Sequence, residues 1–194
     1  MLKSKQLYII SGCNGAGKTT ASYTVLPEVL QCKEFVNADE IARGLSPFNP
    51  QGMAIEAGRL MLKRISELMR EGENFSIETT LATRSYARLI QQAQSQGYKI
   101  SLIYFWLSSP ELAISRVQRR VSEGGHGIPE GVIRRRYQAG MNNLFDIYMS
   151  CVDYWLIADN SQENRVIVAE GGRNIPIEIH NVELFKTIES YVER

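Results

Sequence analysis

Histidine is nearly absent from this 194-residue chain: only His126 and His180 occur, far apart. Spacing alone assembles neither a Ser/His/Asp triad nor a metal-ligand cluster from so few. Cysteine is almost as scarce. Cys13, Cys32 and Cys151 are odd in number, widely separated and never in a C-x-x-C pair. That argues against a disulfide framework or a zinc site and for a reducing compartment. Long apolar runs are missing too. The longest, Leu102 to Leu107, is far short of the ~20 residues a membrane-spanning helix needs. A net charge of +1 supplies no bulk field to attract nucleic acid or a membrane surface, so any positive charge that matters must be local. Met1 to Gln6 run straight into the first apolar stretch without a signal-peptide core, which predicts a cytoplasmic protein. Repeats and low-complexity segments are also lacking. What remains, 44% hydrophobic and 22% charged residues, is ordinary for a soluble chain, and this length predicts one domain over 1–194.

The most informative stretch is Gly12-Cys13-Asn14-Gly15-Ala16-Gly17-Lys18-Thr19, followed by Thr20. It fits G-x-x-x-x-G-K-[ST], a pattern expected by chance in about one chain per hundred of this length. Its setting fits as well. Leu7 to Ser11 is short, apolar and β-prone, and Thr19 to Leu26 can form a helix whose free N–H groups face the loop. Glycines let backbone amides converge on phosphate oxygens. Lys18 is then placed to reach the β- and γ-phosphates of ATP or GTP, and the Thr19 hydroxyl to ligate Mg²⁺. Gly12, Asn14, Gly15, Ala16, Gly17, Lys18, Thr19 and Thr20 are therefore the expected nucleotide-binding residues. Triphosphate binding alone does not say what the phosphate is used for.

The rest of the chain alternates strands and helices. Glu34–Asn37, Phe75–Glu78, Tyr98–Leu107 and Asp153–Ala158 read as further strands; Arg165–Ala169 and Ile175–Ile179 read as a hairpin or two short edge strands. Helices are expected over Met53–Arg70, with Ile55, Leu62, Ile65 and Met69 on one period, and after Thr83, Ser109 and Pro129. A closing helix is expected over Val182–Val192. The alternation predicts an α/β fold with a mainly parallel five-stranded sheet, helices on both faces, and a C-terminal hairpin and helix. Ligands in such folds sit beyond the carboxyl ends of the strands.

Polar residues fall at those ends. Asp39, two residues past the second strand, can accept a hydroxyl proton, hold a water on Mg²⁺, or cap a helix. Glu78 ends the third strand, with Thr80 beside it, and can bind a substrate hydroxyl or a metal-bound water. Arg116, Arg119 and Arg120 share a helical face opposite Ile114, Val117 and Val121; past Gly124-Gly125-His126-Gly127 come Arg134, Arg135 and Arg136. Arginines around a flexible link, about 110–140, form a lid-like anion site or, more plainly, a solvated salt-bridged face. His126 can contact nucleotide or cap the adjoining helix, and His180 reads as structural.

These motifs, in this order, resemble the zeta-toxin-like branch of the P-loop kinases. The matching pieces are Gly12–Thr20, Val36–Ala42, Phe75–Leu81, Arg116–Val121, Gly124-Gly125-His126, Ile133–Tyr137 and Asp159-Asn160-Ser161, spanning about Gln6 to Ser161. The resemblance implies a three-layer P-loop kinase fold and an ATP- or GTP-dependent, Mg²⁺-assisted transfer of phosphate to a small-molecule hydroxyl. In toxin members that hydroxyl belongs to UDP-N-acetylglucosamine, and an antitoxin protein is the implied partner. By resemblance Asp39 is the general base, Lys18 the γ-phosphate lysine, Arg120 and Arg136 the phosphate clamp, and Glu78 and Thr80 substrate-pocket residues. The chain is shorter than the larger toxins and lacks segments that shape their sugar-nucleotide pocket. A metabolic kinase for a nucleoside-like alcohol and a nucleotide-driven switch without transfer are the alternative functions.

Overall fold

The near-continuous apolar runs at Leu7–Ile10 and Tyr98–Leu107 need partners on both faces, and the sheet they form is covered accordingly. The structure, a computed structural model, describes residues 4–192. Met1 to Lys3, the start of the expected N-terminal entry, lie outside the described residues. In chain order the elements are β1 (Lys5–Gly12), α1 (Lys18–Thr24), β2 (Glu34–Val36), α2 (Ala38–Leu45), α3 (Ala54–Glu71), β3 (Phe75–Thr79), α4 (Tyr86–Ser95), β4 (Tyr98–Trp106), α5 (Pro110–Ser122), α6 (Glu130–Asn143), α7 (Met149–Cys151), β5 (Tyr154–Asp159), β6 (Val166–Gly172), β7 (Ile175–Ile179) and α8 (Val182–Ser190). One seven-stranded sheet runs in the order β2-β3-β1-β4-β5-β6-β7. Its first five strands are parallel, and β6 and β7 add in antiparallel fashion.

The strand count departs from the expected five. The hairpin is not a separate feature: β6 pairs with β5 along its length and so extends the same sheet. β1 sits at the centre of the five parallel strands, with β3 on one side and β4 on the other, and Leu7, Ile9, Phe75, Ile77, Ile100 and Leu102 are fully buried around it. Arranging β1, β3 and β4 side by side brings their carboxyl ends to one rim.

Local chemistry sets where helices begin and stop. Ser109 Oγ accepts the Leu112 N–H at 3.1 Å, with Pro110 in the first turn of α5, as its sequence signals require. After α1 the chain widens into a π turn over Val25–Val29; Pro27 has no N–H to continue the α pattern. A second π turn, Leu144–Tyr148, follows α6, whose expected stripe of Ile133, Tyr137, Leu144 and Tyr148 is buried. Two apolar stripes are redrawn. In α3 Ile65 and Met69 face the core with Ala57, Met61 and Leu68, but Ile55 and Leu62 are exposed. In α5 Val121 is likewise exposed, although Ile114 and Val117 on the same stripe are buried.

Candidate functional site

The loop Gly12–Thr19 leaves the end of β1 through three glycines with positive φ: Gly12 at 135°, Gly15 at 81° and Gly17 at 77°. Each is also tightly seated. A Cβ on Gly12 would stand 2.2 Å from the Phe105 carbonyl, one on Gly15 2.7 Å from that of Ala113, and one on Gly17 2.7 Å from the Asn160 amide. The loop is thus pressed into a socket made by the ends of β4 and β5 and by α5. No side chain caps the N-terminus of α1, so its first-turn N–H groups are left to the loop's concavity. A cavity of about 600 Å³ opens there, bounded by Asn14, Gly15, Gly17, Lys18, Thr19 and Thr20 on one side and Arg116 and Arg120 on the other. Gly12 and Ala16, also expected to bind nucleotide, do not line it. They shape the loop instead: the Ala16 N–H donates to the Cys13 carbonyl at 3.2 Å, and its carbonyl accepts the Asn160 amide at 2.8 Å.

Lys18 and Glu78 are both nearly enclosed, with side chains 7% and 9% exposed, and lie 3.7 Å apart. The Lys18 ammonium donates to the Cys13 carbonyl at 2.9 Å, and the Thr19 hydroxyl donates to Glu78 Oε2 at 2.8 Å. Burial pushes the Glu78 carboxyl above the ordinary range, with Lys18 and Thr19 opposing and Asp39 and Glu40 adding to the rise. Burial also pushes the Cys13 thiol up to about 11, which keeps it protonated and unreactive inside the loop.

Asp39 is not a helix cap. Asn37 is, through its Oδ1, which accepts the Asp39 N–H at 2.8 Å. The cap fixes Asp39 in the first turn of α2, exposed, at a point where three cavities meet: the phosphate cavity and two smaller ones of about 290 and 210 Å³. Thr80 lines the smallest with Thr83 and Tyr86. Its loop turns at Leu81, a non-glycine residue with φ 55°, held by the Asn143 amide on the Leu81 carbonyl at 2.8 Å. Gly140 of α6 lets the Thr80 carbonyl come so close that a Cβ there would lie 2.5 Å from it.

The arginines divide. Arg120 lines the phosphate cavity, with one guanidinium nitrogen donating to the His126 carbonyl at 3.0 Å and a buried Nε that lacks a partner among the described residues. Arg136 reaches Asn14 Oδ1 at 3.3 Å and borders both smaller cavities. Arg116 spends its donors on the Asn160 and Ser161 carbonyls at 2.8 and 2.9 Å. Arg119 turns away to pair with Glu123, and Arg134 pairs with Glu111 at 2.5 Å. The shared face expected for Arg116, Arg119 and Arg120 therefore splits. His126 borders the phosphate cavity and the 290 Å³ one, and burial beside Arg120 lowers its pKa.

Sequence reasoning missed Asn160 as the residue behind the loop, and Asn37, Gln51, Thr83 and Tyr86 as cavity walls. Asn160 and Asn37 had a signal, their place at a strand end. Away from the site, Glu170, Glu178 and His180 converge across the hairpin, the His180 ring 2.9 Å from Glu170. Spacing had left His180 without a partner.

A family model for the Zeta toxin family matches residues 2–171. The chain belongs to that family. An uncharacterized protein of Haemophilus influenzae is 29% identical over 126 residues, 65% of this chain and 88% of its own length. Among solved structures, the AvrRxo1-ORF1:-ORF2 complex with ATP superposes with a TM-score of 0.79 at 19% identity, over 98% of this chain and 65% of that one. This chain is thus about two-thirds as long as that protein. The PezAT chromosomal toxin-antitoxin system of Streptococcus pneumoniae superposes with a TM-score of 0.67 at 17% identity, over 88% of this chain and 72% of that one. At such identities the likeness shows the fold, which is the α/β fold of the P-loop kinases.

Proposed function

We propose that this zeta toxin family member transfers the γ-phosphoryl group of ATP or GTP to a hydroxyl of a small molecule. One observation carries the reading: Asp39 stands where the phosphate cavity meets two further cavities, so a hydroxyl in either can face both a carboxylate and the terminal phosphate. The steps follow from the positions. Loop amides and Lys18 hold the β- and γ-phosphates. The acceptor oxygen attacks the γ-phosphorus, its proton passes to the Asp39 carboxylate, and the bond to the leaving nucleoside diphosphate breaks. Arg120, which lines the phosphate cavity, and Arg136 offset the charge spread over the transferring group.

The Thr19 hydroxyl and the Glu78 carboxylate present hard oxygen donors side by side, a set that suits Mg²⁺. Bound there, the ion would neutralise phosphate charge. Glu78 borders both the phosphate cavity and the smaller cavity that Thr80 lines, so it can serve the ion and the acceptor alike.

Family membership supports a UDP-activated amino sugar as the acceptor and an antitoxin protein as a partner, with the three free cysteines fitting a reducing cytoplasm. The test follows nucleoside diphosphate release from ATP with UDP-N-acetylglucosamine and a set of other alcohols. Wild type should show acceptor-dependent release that Asp39→Ala lowers by about 10²–10⁴-fold. Equal hydrolysis by both proteins, with no acceptor phosphorylated, would sink the kinase reading. Expression in a sensitive bacterium separates toxin from metabolic enzyme: growth arrest that Lys18→Ala removes favours the toxin.

A further inference from the structure

The two smaller cavities flank the same pair, Asp39 and Arg136, and differ in the residues that wall them. The cavity of about 210 Å³ is walled by Glu78, Thr79, Thr80, Thr83 and Tyr86, a hydrogen-bonding surface. The cavity of about 290 Å³ draws its walls from three separate parts of the chain, and most are apolar: Ala42 from α2, Pro50 from the turn before α3 with Ala54 at its start, and Ile128, Pro129 and Val132 around the start of α6. Its polar groups, Gln51 and His126, lie where the glycine link crosses over. The Gln51 amide donates to the Gly127 carbonyl at 2.8 Å, which ties the link to the Pro50 turn.

We propose that the acceptor is a two-part molecule, with a hydroxylated polar part in the threonine-lined cavity and a compact apolar part, about one ring in size, in the slot beneath the glycine link. The proposal rests on the reading of Asp39 as the residue that meets the acceptor hydroxyl, and it names the class of acceptor for that site. Size permits it, since an apolar cavity of about 150 Å³ is enough to hold benzene. Chemistry favours it. A wholly polar polyol filling the slot would meet side-chain partners only at Asp39, Gln51, His126 and Arg136 and lie against apolar walls elsewhere, whereas a ring removes apolar surface from water. Sites of this kind gain orientation from a few polar groups and affinity from apolar walls. Here the polar pair at the slot's end is Asp39 and Arg136.

The experiment uses benzyl alcohol as the probe and glycerol as its polar counterpart, each at millimolar concentration, with the full chain loaded with ADP and Mg²⁺. Saturation-transfer NMR should show benzyl alcohol bound, strongest at its ring protons, and glycerol at least fivefold weaker. Ala54→Trp, which fills the slot from an exposed position, should cut the benzyl alcohol signal at least fivefold. Ile55→Trp, one residue on and pointing to solvent, should leave it unchanged. If Ala54→Trp melts early, Val132→Glu places a charge on the facing wall and repeats the test. Equal signals for the two alcohols, no benzyl alcohol binding, or binding indifferent to the filled slot overturns the proposal. The readout needs no phosphate transfer. Selective binding without any transferable acceptor would remove the kinase reading and leave the slot. Transfer to a purely polar acceptor, undiminished by Ala54→Trp, would do the reverse.

Discussion

Glu78 and Glu170 each have hydrogen-bonding or cationic company, yet they lie in opposite surroundings. Glu78 ends β3 in the parallel half of the sheet, beside Lys18 and Thr19, and burial still drives its carboxyl above the ordinary range. Glu170 lies on β6 in the antiparallel edge. It takes hydrogen bonds from the Tyr154 hydroxyl and from His180, and these hold its carboxyl below the ordinary range. The difference lies in access to water rather than in partners: an enclosed carboxylate loses more hydration than one ammonium and one hydroxyl restore. The edge carboxylate is settled where it stands. The central one is not, and this is the condition the proposed function draws on.

The contrast can be tested at decreasing scale. The parallel half should carry the stability. Ile9→Ala, at a fully buried site on β1, should cost about 2–5 kcal/mol, whereas Ile177→Ala on exposed β7 should stay within about 0.5 kcal/mol. Urea midpoints of both variants check this, and comparable losses would erase the distinction. Next comes the border between the halves, where Asn160 supports the loop. Asn160→Asp keeps the shape and can still accept from Arg165, but cannot donate to the Ala16 carbonyl. It should raise the ADP dissociation constant about tenfold by calorimetry, with little change in the melting temperature of the free protein. If affinity is unchanged, or falls only in step with melting temperature, Asn160 does not position the loop.

The smallest effect belongs to the edge. Because Glu170 is held below its ordinary range, its contribution is present above the usual carboxylate pKa of about 4.3 and is lost as pH falls through the lowered value. The stability gap between wild type and Glu170→Gln should therefore narrow between about pH 5 and pH 3 in urea titrations. A gap that holds steady across that window would mean the carboxylate is not stabilised there.

Much of the fold was legible because it rests on patterns that repeat locally. The Ser109-Pro110 start of α5 and the buried runs of β1 and β4 could be read residue by residue. Ile55, Leu62 and Val121 were misplaced because apolar spacing shows that a helix has a greasy face without showing which side the sheet will cover. Asp39 was singled out by its distance from a strand end, and of the roles open to it the helix cap falls away, since the neighbouring Asn37 side chain takes that bond.

The sequence by itself determined the glycine-rich loop motif, the mainly parallel character of the sheet and the residue types at the strand ends. Those depend on backbone conformation and on periodicity, which act over a few residues. Tertiary structure alone decided which carboxylate met which partner. It turned Glu78 onto Thr19, set Asn160 behind Ala16, divided the arginines between cavity and solvent, and gave Asp39 one polar and one apolar neighbour space. Contacts across dozens of residues are fixed by how strands and helices pack, and no local spacing encodes them.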